Sequence, residues 1–256
     1  PALNVIRSQH KKSELRILTN TPVMGSAAPI QAIIGKSDLI QGYFTAPPGG
    51  GGIKSIKLVR DQIVHWSPDT LIYLSEPSNR ISLIREYLFF RSCGIQEFIG
   101  APFGNSLRKY RKLSELLWES EAQRLVRAVS TEKTEKLSWM FNFEEFEFDK
   151  AQNLYSQWDG SAYIALSIGA KLPDKDWGDR NWGKVIQHIR SAYSDLGIVC
   201  IGAGKEKDRC DRLTKDWKGP VLNLCGITQP RISALAMQNA LFYVGHDSGP
   251  MHLAAL

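Results

Sequence analysis

The stretch Val244-Gly245-His246-Asp247-Ser248-Gly249-Pro250-Met251-His252-Leu253 runs from an apolar strand end into a helix start. Ser248 or Asp247 can cap that helix, Gly249 leaves the backbone uncovered, and Pro250 suits the first helical position. An uncovered helix start presents free N–H groups and the positive end of the helix dipole, a combination that suits a phosphate; an ordinary capped helix is the competing reading. A second stretch, from Ser167 to Trp177, carries Gly169, Lys171 and Lys175 in a loop that follows another apolar run. A lysine there can reach an anion held at the first loop. If both loops leave strands of one parallel sheet at the same edge, they face each other across a crevice and together describe a diphosphate pocket. The residues argue against a serine hydrolase built on His246, Asp247 and Ser248, because adjacent residues cannot converge as a triad and the chain has no Gly-x-Ser-x-Gly elbow. Nor is the glycine run 47–52, followed by Lys54 and Ser55, a phosphate-wrapping Walker loop: Ile53 stands where that motif demands glycine.

Such loops need strands alternating with helices to position them. From Tyr163 onward, short apolar runs at 163–168, 198–201, 221–224 and 241–244 alternate with longer mixed segments. Between the first two runs, Trp182, Val185, Ile186, Ile189 and Tyr193 recur at helical spacing, with Lys184, Gln187 and Arg190 on the other side. Buried runs joined by amphipathic helices predict parallel strands with right-handed crossovers, a Rossmann-like arrangement. The first half repeats the rhythm more loosely, with strands expected at 16–19, 39–44, 71–74 and 97–99 and helices at 2–8, 30–35, 53–63, 81–90 and 114–129. This organisation divides the chain into an N-terminal Rossmann-like domain over 1–130, an acidic connection over 131–160 and a C-terminal Rossmann-like domain over 161–256. The turn 20–22 and the loop 76–80 follow strand ends of the first domain.

With 256 residues, 43% of them hydrophobic and 23% charged, the chain has the composition of a folded globular protein and no apolar run long enough to span a bilayer. The net charge of +6 is unevenly spread: residues 1–112 hold an excess of eight basic groups, whereas 113–160 are acidic. A basic first half suits an anionic membrane surface or a phosphorylated acceptor, and the lack of an RNA-binding aromatic motif, a zinc finger or a continuous basic helix argues against nucleic acid. Cys93, Cys200, Cys210 and Cys225 are far apart in sequence and signal neither a zinc site nor a disulfide framework. That usage, and an N-terminus unlike a signal peptide, suit a reducing cytoplasm. The chain opens at Pro1-Ala2-Leu3 without Met and ends inside what reads as a helix, so it is expected to be a fragment.

Three stretches resemble glycosyltransferase family 9, the ADP-heptose:lipopolysaccharide heptosyltransferases and their relatives. The family's aspartate, Thr or Ser, glycine, two residues and His-Leu-Ala-Ala is similar to Asp247-Ser248-Gly249 through His252 to Ala255. Its Pro-Gly-Ala loop ending in Lys-x-Trp-Pro is similar to Ile168-Gly169-Ala170 through Lys175 and Trp177. Its Gly-Gly-x-x-Glu turn is similar to Gly202-Ala203-Gly204-Lys205-Glu206. Ile168 and Gly178 stand where the family has proline, and Ser248 where threonine is commoner. The resemblance covers 163–256 well and the first half loosely.

The resemblance implies a GT-B-like α/β fold, two Rossmann-like domains facing across a cleft, both incomplete at the chain ends. It also implies inverting, metal-independent transfer of a sugar, heptose for example, from a nucleotide diphosphate, ADP for example, to a saccharide or lipid-linked saccharide. No cofactor or metal is implied, the nucleotide sugar being a substrate. On the donor side, Lys175 would supply a cation to the leaving diphosphate and the loop at Gly169 and N–H groups around Ser248 and Gly249 would supply dipoles. Asp247 would accept from sugar hydroxyls or fix the loop, His252 would donate to a phosphate or sugar oxygen, and Glu206 would take the ribose hydroxyls. Lys54 and Arg80 would meet acceptor phosphates. The family's Gly-Asp loop precedes its Pro-Ala-Leu helix, so the general base is expected upstream of Pro1. A lipid-linked acceptor would bring the basic half to the cytoplasmic face of the inner membrane as a peripheral protein. Two other readings remain beside this one: a GT-B sugar-nucleotide epimerase or hydrolase, and, if the chain is complete, a non-catalytic nucleotide-sugar-binding module.

Overall fold

The computed structural model describes residues 1–20, 28–35, 38–47, 51–75, 79–130, 142–158, 160–170 and 172–255. Most of the turn 20–22 and of the loop 76–80, half of the glycine run, Lys171 and residues 131–141 of the expected acidic connection lie outside the described residues. The chain divides into two compact units: Pro1–Thr21 with Lys36–Met140, and Pro22–Gly35 with Phe141–Leu256.

In the first unit, α1 (Ala2–Gln9) leads to β1 (Arg16–Asn20); past α2 (Ile30–Ile34), which belongs to the second unit, come β2 (Gly42–Ala46), α3 (Ile53–Trp66), β3 (Thr70–Ile72), α4 (Arg80–Ser92), β4 (Glu97–Ile99), α5 (Asn105–Arg108) and α6 (Glu121–Val129). β1 pairs in parallel with β2, Arg16 opposite Gly42, and β3 with β4, Thr70 opposite Glu97. Ala2 and Ile6 of α1 pack on Val126 and Val129 of α6, while Val59 and Ile63 of α3 pack with Cys93, Ile95, Phe89 and Phe90.

Two expectations are corrected in this unit. The strand expected at 39–44 lies at Gly42–Ala46. The helix expected over 114–129 begins only at Glu121, because Ser120 caps it: Ser120 Oγ accepts from the Gln123 N–H, and the Ser120 N–H donates to the Gln123 side chain. Residues 111–119 form a hairpin instead, with Lys112 opposite Trp118.

The second unit runs from α7 (Glu145–Leu154) through β5 (Tyr163–Ser167), α8 (Gly178–Ala192), β6 (Gly197–Cys200), α9 (Lys207–Thr214), β7 (Val221–Asn223), α10 (Pro230–Met237), β8 (Tyr243–Gly245) and α11 (Gly249–Ala254). Its four strands are all parallel, in the order β7-β6-β5-β8. Ile164 and Leu166 of β5 face a core with Trp182, Ile186 and Ile189 of α8; Tyr163 and Ala165 face the opposite core with Ala236 and Met237 of α10. Helices on both faces explain why β5 is apolar without alternation.

Within 131–160, the acidic residues Glu145 and Glu147 sit in the first turn of α7, and the Glu144 N–H donates to Glu147. The periodicity of this helix is hidden because Glu147 occupies its buried face. There it meets Arg231 of α10 in two 2.7 Å hydrogen bonds; Arg231 also donates to the Asn142 and Ile34 carbonyls, at 2.7 and 3.1 Å. One buried guanidinium thus ties α2, α7 and α10 together. A side chain on Gly35, which sits at φ +68°, would run into it.

Candidate functional site

Strand order reverses at β5: the chain moves outward through β6 and β7, then returns to place β8 on the other flank. In open α/β sheets that reversal parts the connecting loops and opens a crevice at the carboxyl ends of the two strands. Ser167 and Gly245 are the last register pair of β5 and β8, so loops 168–177 and 246–248 leave at one level.

Lys175 closes a short 3-10 turn, Pro173–Lys175, in the first loop. Its Nζ lies 3.5 Å from Asp247 Oδ2, and His252 Nε2 lies 3.7 Å from Asp247 Oδ1. All three side chains are exposed. The rim therefore gathers a cation, an imidazole and a carboxylate, the lysine lying more than seventy positions before the other two.

Backbone and rings hold the two loops together. The Trp177 N–H donates to His246 Nε2 at 3.3 Å, and the His246 ring stands edge-on to Trp182, with centroids 5.0 Å apart, and to Trp177, at 6.1 Å. Trp182 is buried on the sheet-facing side of α8, while Trp177 remains exposed beside the loop. From α9, Arg209 donates to both oxygens of Asp176 at 2.6 and 2.9 Å and to Asp179 at 2.5 Å. That guanidinium, reinforced by the Gly178 N–H, holds the Asp176 carboxyl down to about 2. Arg209 was not singled out from sequence; an arginine three positions after Glu206 carries no local signal for a partner thirty residues upstream.

At the start of α11, neither Asp247 nor Ser248 caps the helix by its side chain, contrary to the sequence expectation; Ser248 Oγ donates instead to the His246 carbonyl at 3.2 Å. A Cβ on Gly249 would meet no atom within 4 Å, so the backbone there faces open space.

Glu206 lies one strand over, in the turn Gly204–Glu206 after β6, and is buried. Its carboxylate accepts from the Ala203 N–H and rests on two glycines: a Cβ on Gly169 would fall 2.7 Å from Glu206 Cδ, and one on Gly202 would fall 2.8 Å from its Oε2. The structure thus brings Gly169 and Glu206 together, and Lys175, Asp247 and His252 together. It also shows why Gly169 and Gly202 must lack side chains. Behind Gly202 lie three buried thiols, with Cys210 and Cys225 sulfurs 3.5 Å apart and Cys200 buried beside them. Lys54 and Arg80 belong to the first unit, exposed in the first turns of α3 and α4.

Among the described residues, no group of three or more His, Cys, Asp or Glu is placed to hold a metal, and no helix is long and apolar enough to cross a membrane.

Comparison with curated protein sequences returns no match. The family described as glycosyltransferase family 9 (heptosyltransferase) matches residues 105–256. Among solved structures, a glycosyl transferase family 9 from Veillonella parvula is similar with a TM-score of 0.66 at 16% identity, over 98% of this chain and 71% of that one. The E. coli ADP-heptose lps heptosyltransferase II gives 0.61 at 15% identity, over 99% and 76%. The E. coli heptosyltransferase WaaC with ADP-2-deoxy-2-fluoro heptose gives 0.59 at 16% identity, over 100% and 80%. These likenesses give the chain the α/β, parallel-sheet architecture of GT-B glycosyltransferases. Since the family match spans more than half of the sequence and includes every strand of the second unit, the chain belongs to glycosyltransferase family 9 and is a sugar-transferring enzyme.

Proposed function

We propose that the crevice between the ends of β5 and β8 binds the diphosphate of a nucleotide-sugar donor, and that the enzyme transfers the sugar with inversion to a saccharide or lipid-linked saccharide. The observation that carries this reading is the convergence of Lys175, Asp247 and His252 beside the open backbone of Gly249. As the glycosidic bond breaks, the leaving diphosphate gains negative charge, so preorganised donors aimed at it lower the barrier. Lys175 opposes that charge, and the N–H groups at the start of α11 add dipoles. Asp247 holds Lys175 and His252 in place before the donor arrives and accepts hydrogen bonds from sugar hydroxyls afterwards. Glu206 fixes the turn that faces the ribose, and its carboxylate takes the ribose hydroxyls.

In this reading Lys175 does the work of a charge-neutralising ion and no resident cofactor is needed. ADP-heptose is the first donor to test, because one E. coli protein of similar fold is described as an ADP-heptose heptosyltransferase and another with ADP-2-deoxy-2-fluoro heptose. A lipopolysaccharide core precursor is the matching acceptor, used at the cytoplasmic face of the membrane, with Lys54 and Arg80 on the acceptor side. No described residue is assigned the acceptor-activating role.

Thermal melts with ADP-, UDP- and GDP-sugars test the donor assignment. A donor at about one hundred times its Kd stabilises by roughly 2.7 kcal/mol. ADP-heptose should raise the melting temperature, and Gly249→Val should abolish the rise without lowering the unliganded melting temperature, since its side chain enters free space. No shift with any nucleotide diphosphate sugar, or a shift retained in Gly249→Val, overturns the assignment.

A further inference from the structure

The hairpin 111–119 of the first unit is rigid at its base and apolar at its tip. Leu113 and Ser114 N–H groups donate to the Leu117 carbonyl at 2.7 and 3.1 Å, and the Glu119 N–H donates to the Arg111 carbonyl at 2.8 Å. Two arginines of α6 clamp the base. Arg127 pairs with the buried Glu119 carboxylate and donates to the Ser106 and Lys109 carbonyls at 2.6 and 3.2 Å. Arg124, itself buried and paired with Glu121, donates to the Leu107 carbonyl at 3.0 Å. So much order at the base fixes the tip in a set direction.

That tip presents Leu113, Leu116, Leu117 and Trp118 at 51%, 96%, 57% and 58% exposure. Scattered apolar residues on a surface are ordinary, but four within six positions on a clamped projection form a patch. Exposed Lys109, Arg111 and Lys112 and half-buried Arg108 adjoin it, against the exposed carboxylate of Glu115 and that of Glu121, which is held by Arg124 and Tyr110. Beside the tip, Arg108, Lys109, Tyr110, Trp118 and Glu119 line an open concavity of about 560 Å³. An apolar wedge with an interfacial tryptophan and a basic collar has the amphipathic pattern of a segment lying in the headgroup region. Nine residues of hairpin are too short to span a bilayer, so insertion would be shallow.

We propose that the 108–118 segment is a membrane anchor: its leucines and Trp118 enter the interface of an anionic bilayer while its four cations meet lipid phosphates. It lies in the first unit and needs no donor, so it stands apart from the donor-site reading. The test is sedimentation of the protein with vesicles of phosphatidylcholine containing phosphatidylglycerol, beside phosphatidylcholine alone. The protein should bind the anionic vesicles and release them at high salt. Leu116→Ser with Leu117→Ser should weaken binding roughly tenfold or more, as should Lys109→Gln with Lys112→Gln. Both pairs alter exposed side chains, so their melting temperatures and any nucleotide-induced shift should match the parent. Failure to bind anionic vesicles, or equal binding by the serine variant, overturns the proposal. So does a dimer in solution that the serine variant loses while vesicles stay unbound, which would make a second copy the occupant of the tip. Loss of the nucleotide shift with vesicle binding intact would defeat the donor assignment alone.

Discussion

Lys175 and Asp247 are both solvent-exposed, and an exposed pair 3.5 Å apart contributes about 0–1 kcal/mol to folding. Stability is therefore a poor reason for a lysine in that position, and ligand binding a better one. Lys175→Ala should leave the melting temperature nearly unchanged and weaken nucleotide-diphosphate binding about tenfold, the scale of one partly solvated charge-assisted hydrogen bond. Calorimetric titration of the parent and variant with ADP measures it, and equal affinities would remove Lys175 from the site. The residues of this rim were legible in sequence because they cluster in two short motifs whose glycines and helix-start proline have local reasons. Glu206 was legible only as to position. That its carboxylate is buried against Gly169 and Gly202 depends on β5 and β6 being neighbours, which no local spacing encodes. His246 stood inside a quoted motif, yet its role in joining two loops appears only when Trp177 and Trp182 arrive from seventy residues away.

Elements were easiest to read where burial is one-sided or complete. The α8 stripe has an unambiguous period and β5 is an unbroken apolar run, and both lie where the sequence placed them. In the first unit the strands are short, three to five residues, and partly exposed, so β2 falls three residues beyond its expected start. α7 hides because a buried Glu147 breaks its apolar face, and Arg231, more than eighty residues later, supplies the opposite charge that makes that burial tolerable. A similar remote brace, Arg209 from α9, sets the loop that carries Lys175. Asp176 makes this brace pH-sensitive, and the sign follows from the direction of its shift. Its folded pKa, about 2, lies below the ordinary 3.8, so the brace stabilises fully above about pH 4 and is lost as the pH falls towards 2. Arg209→Ala should return the Asp176 titration towards its ordinary value and shrink the loss of stability between those limits. Carboxyl titration by NMR checks the first, and melts across that range check the second. An Asp176 pKa unmoved by the substitution would show that the guanidinium is not what holds it down.

Across the whole molecule, the second unit has apolar cores on both faces of its own sheet, closed by α8 on one side and α10 on the other, and the rim that gathers Lys175, Asp247 and His252 is built from its own loops. The first unit has separate cores around α1 with α6 and around α3 with α4. A ligand stabilises the segments whose folded form it requires, so where the cores are separate its effect should be local. Saturating donor nucleotide should therefore slow amide hydrogen exchange in 168–177, 203–209 and 245–254 and in the strands of the β7-β6-β5-β8 sheet, and leave β1 to β4 near their unliganded rates. At about one hundred times Kd, the roughly 2.7 kcal/mol of linkage corresponds to about 10 °C in a unit of this size, so a calorimetric trace should show a high-temperature shift in one component. Slowed exchange spread evenly over β1 to β4 as well would mean that donor binding stabilises the chain as one cooperative body, and the rim could then not be treated as belonging to the second unit alone. Protection confined to the first unit would move the donor away from Lys175 and Gly249 altogether.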